Sequence, residues 1–157
     1  MKARIVLPLL LLANAAPAVQ KSAPPPPAAP QPSIDGLPVG EIPKQTLPAK
    51  GCAAFLWSAA RTRALVAMAT ADPAQLRLSL GGTITDLSRT AQQGPGGFGF
   101  SGVTEYRGGA VTAVLDMTIT IRNDLKDGAA VSQATLRVDR EGQDSVVLPV
   151  AGLIGCA

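Results

Sequence analysis

The sequence predicts an all-β fold, a small antiparallel sandwich or barrel of about seven to eight strands closed by one disulfide. Three observations support this prediction. Apolar and polar residues alternate with a period of two over much of the second half of the chain, as they do on strands with one buried face. Glycine-rich turn sequences separate the alternating segments. The only two cysteines, Cys52 and Cys156, flank this region.

Residues 1–18 have the composition of a signal peptide. Lys2 and Arg4 form a basic start, an apolar run interrupted by Pro8 follows, and the Ala-Pro-Ala of residues 16–18 fits a cleavage site. The run is shorter than the roughly 20 residues that a membrane span needs, although an uncleaved anchor is the alternative. We therefore expect a periplasmic or secreted protein without a transmembrane segment.

Residues 19–50 are rich in proline, with four consecutive prolines at 24–27. Proline fixes φ and lacks an N–H donor, so it interrupts helices and central strands. We predict a disordered, extended linker that serves as a passive leader, a spacer or a proline-rich ligand. Apolar residues in its second half would also allow it to lie on the domain surface: Ile34, Leu37, Val39, Ile42 and Leu47.

The folded domain is predicted to span residues 51–157, which is enough for one hydrophobic core. Its first segment, Cys52 to Ser58, is predicted to be a strand with Phe55 and Trp57 on one face. Ser58 to Ala71 is ambiguous, because its alanines favour a helix while its short length and the Leu65-Val66 pair favour a buried strand.

Later segments alternate clearly, and the run from Val111 to Arg122 is the best strand in the chain. Leu76 to Leu80 and Ala134 to Asp139 follow the same pattern. Val146 to Cys156 is apolar almost throughout, and we predict a buried closing strand there. The turns between strands are predicted at Gly81-Gly82, Arg107-Gly108-Gly109, Asp127-Gly128 and Glu141-Gly142.

The two cysteines are expected to form a structural disulfide, as pairs in exported chains usually do. Bridged Cα atoms lie about 5–6 Å apart, so the bond requires the first and last strands to be neighbours. Redox-active pairs usually have C-x-x-C spacing, which Cys52 and Cys156 lack.

Most catalytic chemistries are excluded by composition, since the sequence contains no histidine and both cysteines are committed. We predict no catalytic residues, no metal and no cofactor. The stretch 94–99 matches G-x-G-x-x-G by letter, but it contains Pro95 and has predicted strands on both sides. A dinucleotide-binding fingerprint instead follows a strand and begins a helix. Asp124, Asp127, Asp139 and Asp144 are interpreted as turn residues, with a carboxylate pair for hydrolysis as the alternative.

The glycine-rich stretch from Gly94 to Gly102 is predicted to be a long irregular loop and a candidate binding site. Phe98, Phe100 and Ser101 are its candidate binding residues. The alternative is that the two phenylalanines, two positions apart, point into the core.

The charge balance disfavours anionic partners. Removal of Lys2 and Arg4 leaves 12 of the 14 basic residues against 11 acidic ones, so we expect no nucleic-acid binding.

We predict an exported, non-enzymatic binding module for an envelope protein or a wall component. The alternatives are a structural subunit that pairs through a strand edge and, less favoured, a hydrolase that uses carboxylates or a Ser-Lys pair.

Overall fold

The computed structural model of the protein describes residues 28–157. The predicted signal peptide and the first part of the predicted linker lie outside these residues. Within them the chain forms nine β-strands and no helix. The strands are β1 (Val39–Gly40), β2 (Cys52–Ser58), β3 (Leu65–Thr70), β4 (Gln75–Leu80), β5 (Thr83–Gly97), β6 (Phe100–Gly108), β7 (Val111–Thr120), β8 (Gly128–Arg140) and β9 (Val146–Cys156).

Strands β2 to β9 form a closed, antiparallel barrel. Each of them pairs with the next in sequence, and β9 pairs with β2 to close the ring. The short strand β1 adds to β4 through Val39 opposite Leu80. The all-β prediction is confirmed, and of the two predicted architectures the protein adopts the barrel.

The barrel interior is a hydrophobic core to which each of β2 to β9 contributes buried apolar side chains. On β7, for example, Ala113, Leu115 and Met117 point inward, while the neighbouring Asp116 and Thr118 point outward and are exposed. One row of inward leucines crosses three strands, because Leu136 lies opposite both Leu115 and Leu148. The interior is therefore filled by side chains.

Cys52 and Cys156 lie directly opposite each other on β2 and β9, and the disulfide joins them with a Cα–Cα distance of 4.0 Å. The predicted pairing and the predicted contact between first and last strands are both confirmed. We call this end of the barrel the disulfide end. It carries the β3–β4 turn, the β5–β6 hairpin and the β7–β8 loop, and the other connections lie at the opposite end.

Part of the proline-rich stretch, residues 33–39, covers the opposite end of the barrel. Ile34 and Val39 are completely buried in the barrel core, and the Gly81 N–H donates to the Pro38 carbonyl over 2.8 Å. Thr62 adds two hydrogen bonds to the Asp35 carboxylate. The linker was predicted over residues 19–50. Its portion from 33 to 42 packs on the domain, because its apolar residues are buried against apolar residues of the barrel. The domain limits as a whole stay a prediction.

Two ambiguous segments are resolved by the barrel. The run from Ser58 to Ala71 contains strand β3, preceded by a loop, rather than a helix. The predicted irregular loop from Gly94 to Gly102 is wrong as a secondary-structure prediction, since β5 continues to Gly97 and β6 begins at Phe100. Phe98 and Gly99 form the two-residue turn, with φ angles of 59° and 84°, which is the backbone that tight hairpins favour.

The final strand differs from its prediction in one respect. Val146 to Cys156 is the closing strand β9, but only its inward face is buried. Val147 and Leu153, which point outward, are 57% and 48% exposed. No second sheet covers the outward face of β9 in a single-layer barrel, so the predicted burial of this strand holds for its inward face alone.

Candidate functional site: an apolar band on the outer face of the barrel

The outward faces of β2 and β9 carry no charged residues and no polar side chains within the paired region. On β9 the outward positions are Val147, Pro149, Ala151, Leu153 and Gly155, and on β2 they are Ala53, Phe55 and Trp57. An antiparallel sheet with one face in water normally places polar residues there. Strands β2 and β9 therefore depart from the usual alternation of apolar inward and polar outward residues.

Strand register brings the outward apolar residues into one continuous surface. Phe55 lies opposite Leu153, and Trp57 lies opposite Ala151. On the flanking strands, Leu65 of β3 faces Trp57 and Ala130 of β8 faces Leu153. Directly opposed side chains in a sheet are about 5 Å apart at Cβ, which is contact distance. We call these six residues the apolar band: Phe55, Trp57, Leu65, Ala130, Ala151 and Leu153.

The chain covers one margin of this band and leaves the rest open. Ile42 is almost completely buried against Ala53 and Met68 on the outside of β2 and β3. The Ile42 N–H donates to the Leu65 carbonyl over 2.8 Å, which holds this stretch in place. Trp57 nevertheless stays 37% exposed and Leu153 48% exposed. The uncovered part of the band is our candidate functional site.

The predicted binding residues lie elsewhere, at the tip of the β5–β6 hairpin. Phe100 is buried in the core, and Phe98 is half-buried and packs against it. Ser101 is half-buried and pairs with Gly96. The two phenylalanines thus point inward, as the alternative to an exposed binding loop predicted. The role of these three residues in binding stays a prediction.

The acidic turn residues lie at two turns on opposite ends of the barrel. Asp124 and Asp127 lie in the β7–β8 loop at the disulfide end, whereas Asp139 and Asp144 lie near the β8–β9 turn. Strand β8, with 13 residues, separates the two turns by roughly 40 Å at about 3.3 Å per residue.

Two of these carboxylates are committed to exposed ion pairs. Arg122 donates two hydrogen bonds of 2.9 and 2.8 Å to Asp124, and these lower the pKa of Asp124 below its usual value. Hydrogen bonds from Ser145 and then Arg137 lower the pKa of Asp139. A general acid needs a raised pKa, so the surroundings of these two groups oppose that role.

The band was missed by the sequence analysis, although a signal for it was present. The run from Val146 to Cys156 has no polar side chain on either face, and that pattern was interpreted as a buried closing strand. In an antiparallel barrel the same pattern means one buried and one exposed apolar face. Phe55 and Trp57 were predicted to share a face, and the structure shows that this face is the outer one.

Comparison of the chain with protein-family models, with curated proteins and with solved structures finds no match. Within residues 28–157, no helix has the length and apolarity needed to cross a bilayer. Across the same described residues, no three or more Cys, Asp or Glu side chains are grouped so that they could hold a metal ion.

Proposed function

We propose that this protein is an exported, non-enzymatic binding domain that holds a partner protein of the cell envelope on its apolar band. The observation that carries this proposal is the uncovered apolar outer face of β2 and β9, with Trp57 at one end. These strands already bury their inward residues in the core, so folding does not require their outer face to be apolar. Exposed apolar patches mark interaction sites, and tryptophan is enriched among residues that dominate binding energy.

The surroundings of Trp57 favour a protein over a wall glycan as the partner. A sugar ring stacks on an aromatic side chain while its hydroxyls bond to polar groups nearby. The residues directly opposite Trp57 are Leu65 and Ala151, which offer no side-chain hydrogen bonds. An apolar surface on another protein matches this composition better.

The proposed lack of enzymatic activity is supported by the placement of the carboxylates. The two acidic turns lie at opposite ends of β8, and the pKa values of Asp124 and Asp139 are lowered by their partners. A pair of carboxylates that cleaves glycosidic bonds must lie within about 10 Å.

Export is supported by the Cys52–Cys156 disulfide. Such bonds persist in oxidising compartments and are rare in the cytosol. Together with the predicted signal peptide, this bond supports a site of action in the periplasm or outside the cell.

The proposal is tested by capture of envelope proteins on the purified, oxidised mature chain. The band variant carries Trp57→Ser and Leu153→Thr, and the matched control carries Thr112→Ala and Thr118→Ala on the outward face of β7. We expect the wild type and the control to retain the same envelope protein and the band variant to lose it. Circular dichroism checks that all three chains are folded. Equal capture by the band variant would refute the assignment of the site.

A second candidate function, assembly through a strand edge, is favoured by one observation. Residues 90–97 of β5 pair only with β6, so their other edge is open. Two bulges and Pro95 interrupt this edge, and such features discourage strand addition. Sedimentation velocity over a hundredfold concentration range distinguishes the two functions. An assembly subunit would form concentration-dependent oligomers even with the band variant, and a binding domain would stay monomeric.

A further inference from the structure

Charged residues are distributed unevenly around the barrel. Strands β2, β3 and β9 contain none, whereas each of β4 to β8 contains at least one. Between Glu41 and Asp72, the stretch that contains β2 and β3, the chain has no acidic residue and four basic ones: Lys44, Lys50, Arg61 and Arg63. The near-neutral charge of the whole chain therefore conceals a local excess of basic residues next to the apolar band.

Two of these basic residues, Arg61 and Arg63, lie at the Trp57 end of the band, and we call them the loop arginines. They belong to the β2–β3 loop, which begins directly after Ser58 on the strand that carries Trp57. A backbone hydrogen bond of 2.9 Å from the Ser58 N–H to the Ala64 carbonyl closes this loop. Both loop arginines are exposed. Within residues 28–157 neither forms an ion pair, although four other arginines do.

The loop is held in place beside the band. Thr62, between the two loop arginines, donates from its N–H and its hydroxyl to the two oxygens of the Asp35 carboxylate, over 3.2 and 2.6 Å. The Ala59 N–H donates to the Pro149 carbonyl over 2.9 Å, which extends the pairing of β2 with β9 into the loop. Because Thr62 occupies both oxygens of Asp35, this nearby carboxylate is not committed to either guanidinium. The loop arginines are thus available to carboxylates of a partner.

The band is the floor of a shallow groove rather than a flat face. The segment 42–50 lies on the outside of β2 and β3 and reaches β9 at the disulfide end, where an added Cβ on Gly155 would come within 3.2 Å of the Leu47 side chain. Ala151, opposite Trp57, has only a methyl group and leaves room beside the indole. A segment of protein chain enters such a groove more closely than the flat surface of a bilayer does. The shape therefore favours a protein as the partner of this basic and apolar surface.

We propose that the apolar band and the loop arginines together bind a segment of a partner protein in which apolar residues are followed by acidic ones. This inference rests on the proposed function, because it specifies the partner of the same surface. The apolar residues of the segment cover Trp57 and Leu153, and its carboxylates pair with Arg61 and Arg63. Arginine binds carboxylates in a fixed, often bidentate geometry, so these pairs set the direction in which the segment lies on the band.

The test uses the fluorescence of Trp57, which is the only tryptophan in the chain. An apolar partner that covers the indole shifts its emission to shorter wavelengths. The probes are two blocked peptides with the same apolar core, Leu-Ile-Ala-Leu-Phe, followed by three glutamates in one and by three lysines in the other. We expect the glutamate peptide to bind the oxidised mature chain about tenfold more tightly than the lysine peptide at low salt. This preference should shrink at roughly 0.5 M salt, because salt screens exposed charges.

Charge-removing variants test the role of the loop arginines. The double variant Arg61→Gln, Arg63→Gln should bind the glutamate peptide about fivefold more weakly and should bind the lysine peptide no more weakly. The matched control is Arg89→Gln, Arg107→Gln, which removes two exposed arginines from β5 and β6 across the barrel. The control should keep the preference for the glutamate peptide. Circular dichroism checks that every chain is folded.

The outcomes separate this inference from the proposed function. Equal binding of the two peptides, or an unchanged preference in the loop-arginine variant, would overturn the inference and leave the band as a binding surface. Absence of any emission shift with either peptide would also overturn it, and the capture experiment above then decides the proposed function by itself. A shift with phosphatidylglycerol vesicles but with neither peptide would assign the surface to a membrane and overturn the inference as well.

Discussion

Strands β7 and β9 bury similar inward faces but expose opposite outward faces. Inward, β7 contributes Ala113, Leu115 and Met117 to the core, and β9 contributes a comparable set of aliphatic residues. Outward, β7 has threonine or aspartate at four of its five positions: Thr112, Val114, Asp116, Thr118 and Thr120. The outward positions of β9 are all apolar. The same barrel therefore tolerates two kinds of outer surface.

The comparison separates what the fold requires from what it permits. Closure of the barrel requires an apolar inward face on every strand, and both β7 and β9 have one. It places no such requirement on the outward face, where polar residues are normal. An apolar outer face on β2 and β9 is thus a feature that folding leaves free, which is why we assign function to it.

The largest expected effect lies at the seam between β2 and β9. Reduction of the Cys52–Cys156 disulfide, which closes a loop with a sequence separation of 104, should cost about 4–5 kcal/mol of stability in the chain-entropy treatment. The melting temperature should fall by roughly 10 °C or more. Calorimetry with and without reductant measures this. The Cys52→Ala, Cys156→Ala double variant should have the melting temperature of the reduced wild type, and reductant should not change it. An unchanged melting curve would show that the strand pairing alone holds the seam.

The next effect tests whether the two inward faces are equivalent. Leu115 of β7 and Leu148 of β9 are both buried and lie in the row of leucines described above. Leu115→Ala and Leu148→Ala should each lower the free energy of unfolding by about 2–5 kcal/mol, with similar values. Urea denaturation measures both. A nearly neutral Leu148→Ala would mean that β9 contributes little to the core, and the comparison would fail.

A smaller expected effect is a pH dependence of stability caused by the buried phenol of Tyr106 on β6. The pKa of Tyr106 is raised to about 12 in the folded protein, above its usual value of about 10. Its stabilising contribution is therefore complete below pH 10 and declines by about 2–3 kcal/mol as pH rises from 10 through 12. β9 contains no residue that titrates in this range. Denaturation across this pH window should show the decline in the wild type and a weaker one in Tyr106→Phe. Equal slopes would contradict the burial of the phenol.

The smallest effect concerns the outward faces. Leu153→Thr on β9 and Thr118→Val on β7 exchange the character of two exposed positions. Each should change the free energy of unfolding by no more than about 0.5 kcal/mol, as surface substitutions usually do. Chemical denaturation of the two single variants measures this. A loss near 2 kcal/mol in Leu153→Thr would mean that the apolar band stabilises the fold, and its assignment to binding would lose its basis.

The sequence was sufficient for features that depend on local pattern or on composition. The alternation from Val111 to Arg122 predicted β7, because the two faces of a strand are encoded by every second residue. Two cysteines in a chain predicted to be exported predicted the disulfide and, through it, the pairing of β2 with β9. Only part of the candidate site was predicted from the sequence. Phe55 and Trp57 were placed on the same face of a strand, but the sequence did not show which residues surround them.

Tertiary structure decided which faces are covered. Closure into one layer, rather than two packed sheets, leaves Leu153 in solvent, and it gives Ile34 and Val39 an open barrel end to fill. It also turns Phe98 and Phe100 inward over the core. These outcomes depend on contacts between residues distant in sequence, whereas periodicity reports only that a face is apolar. Whether an apolar face meets the core, another segment or water is determined by the assembled sheet.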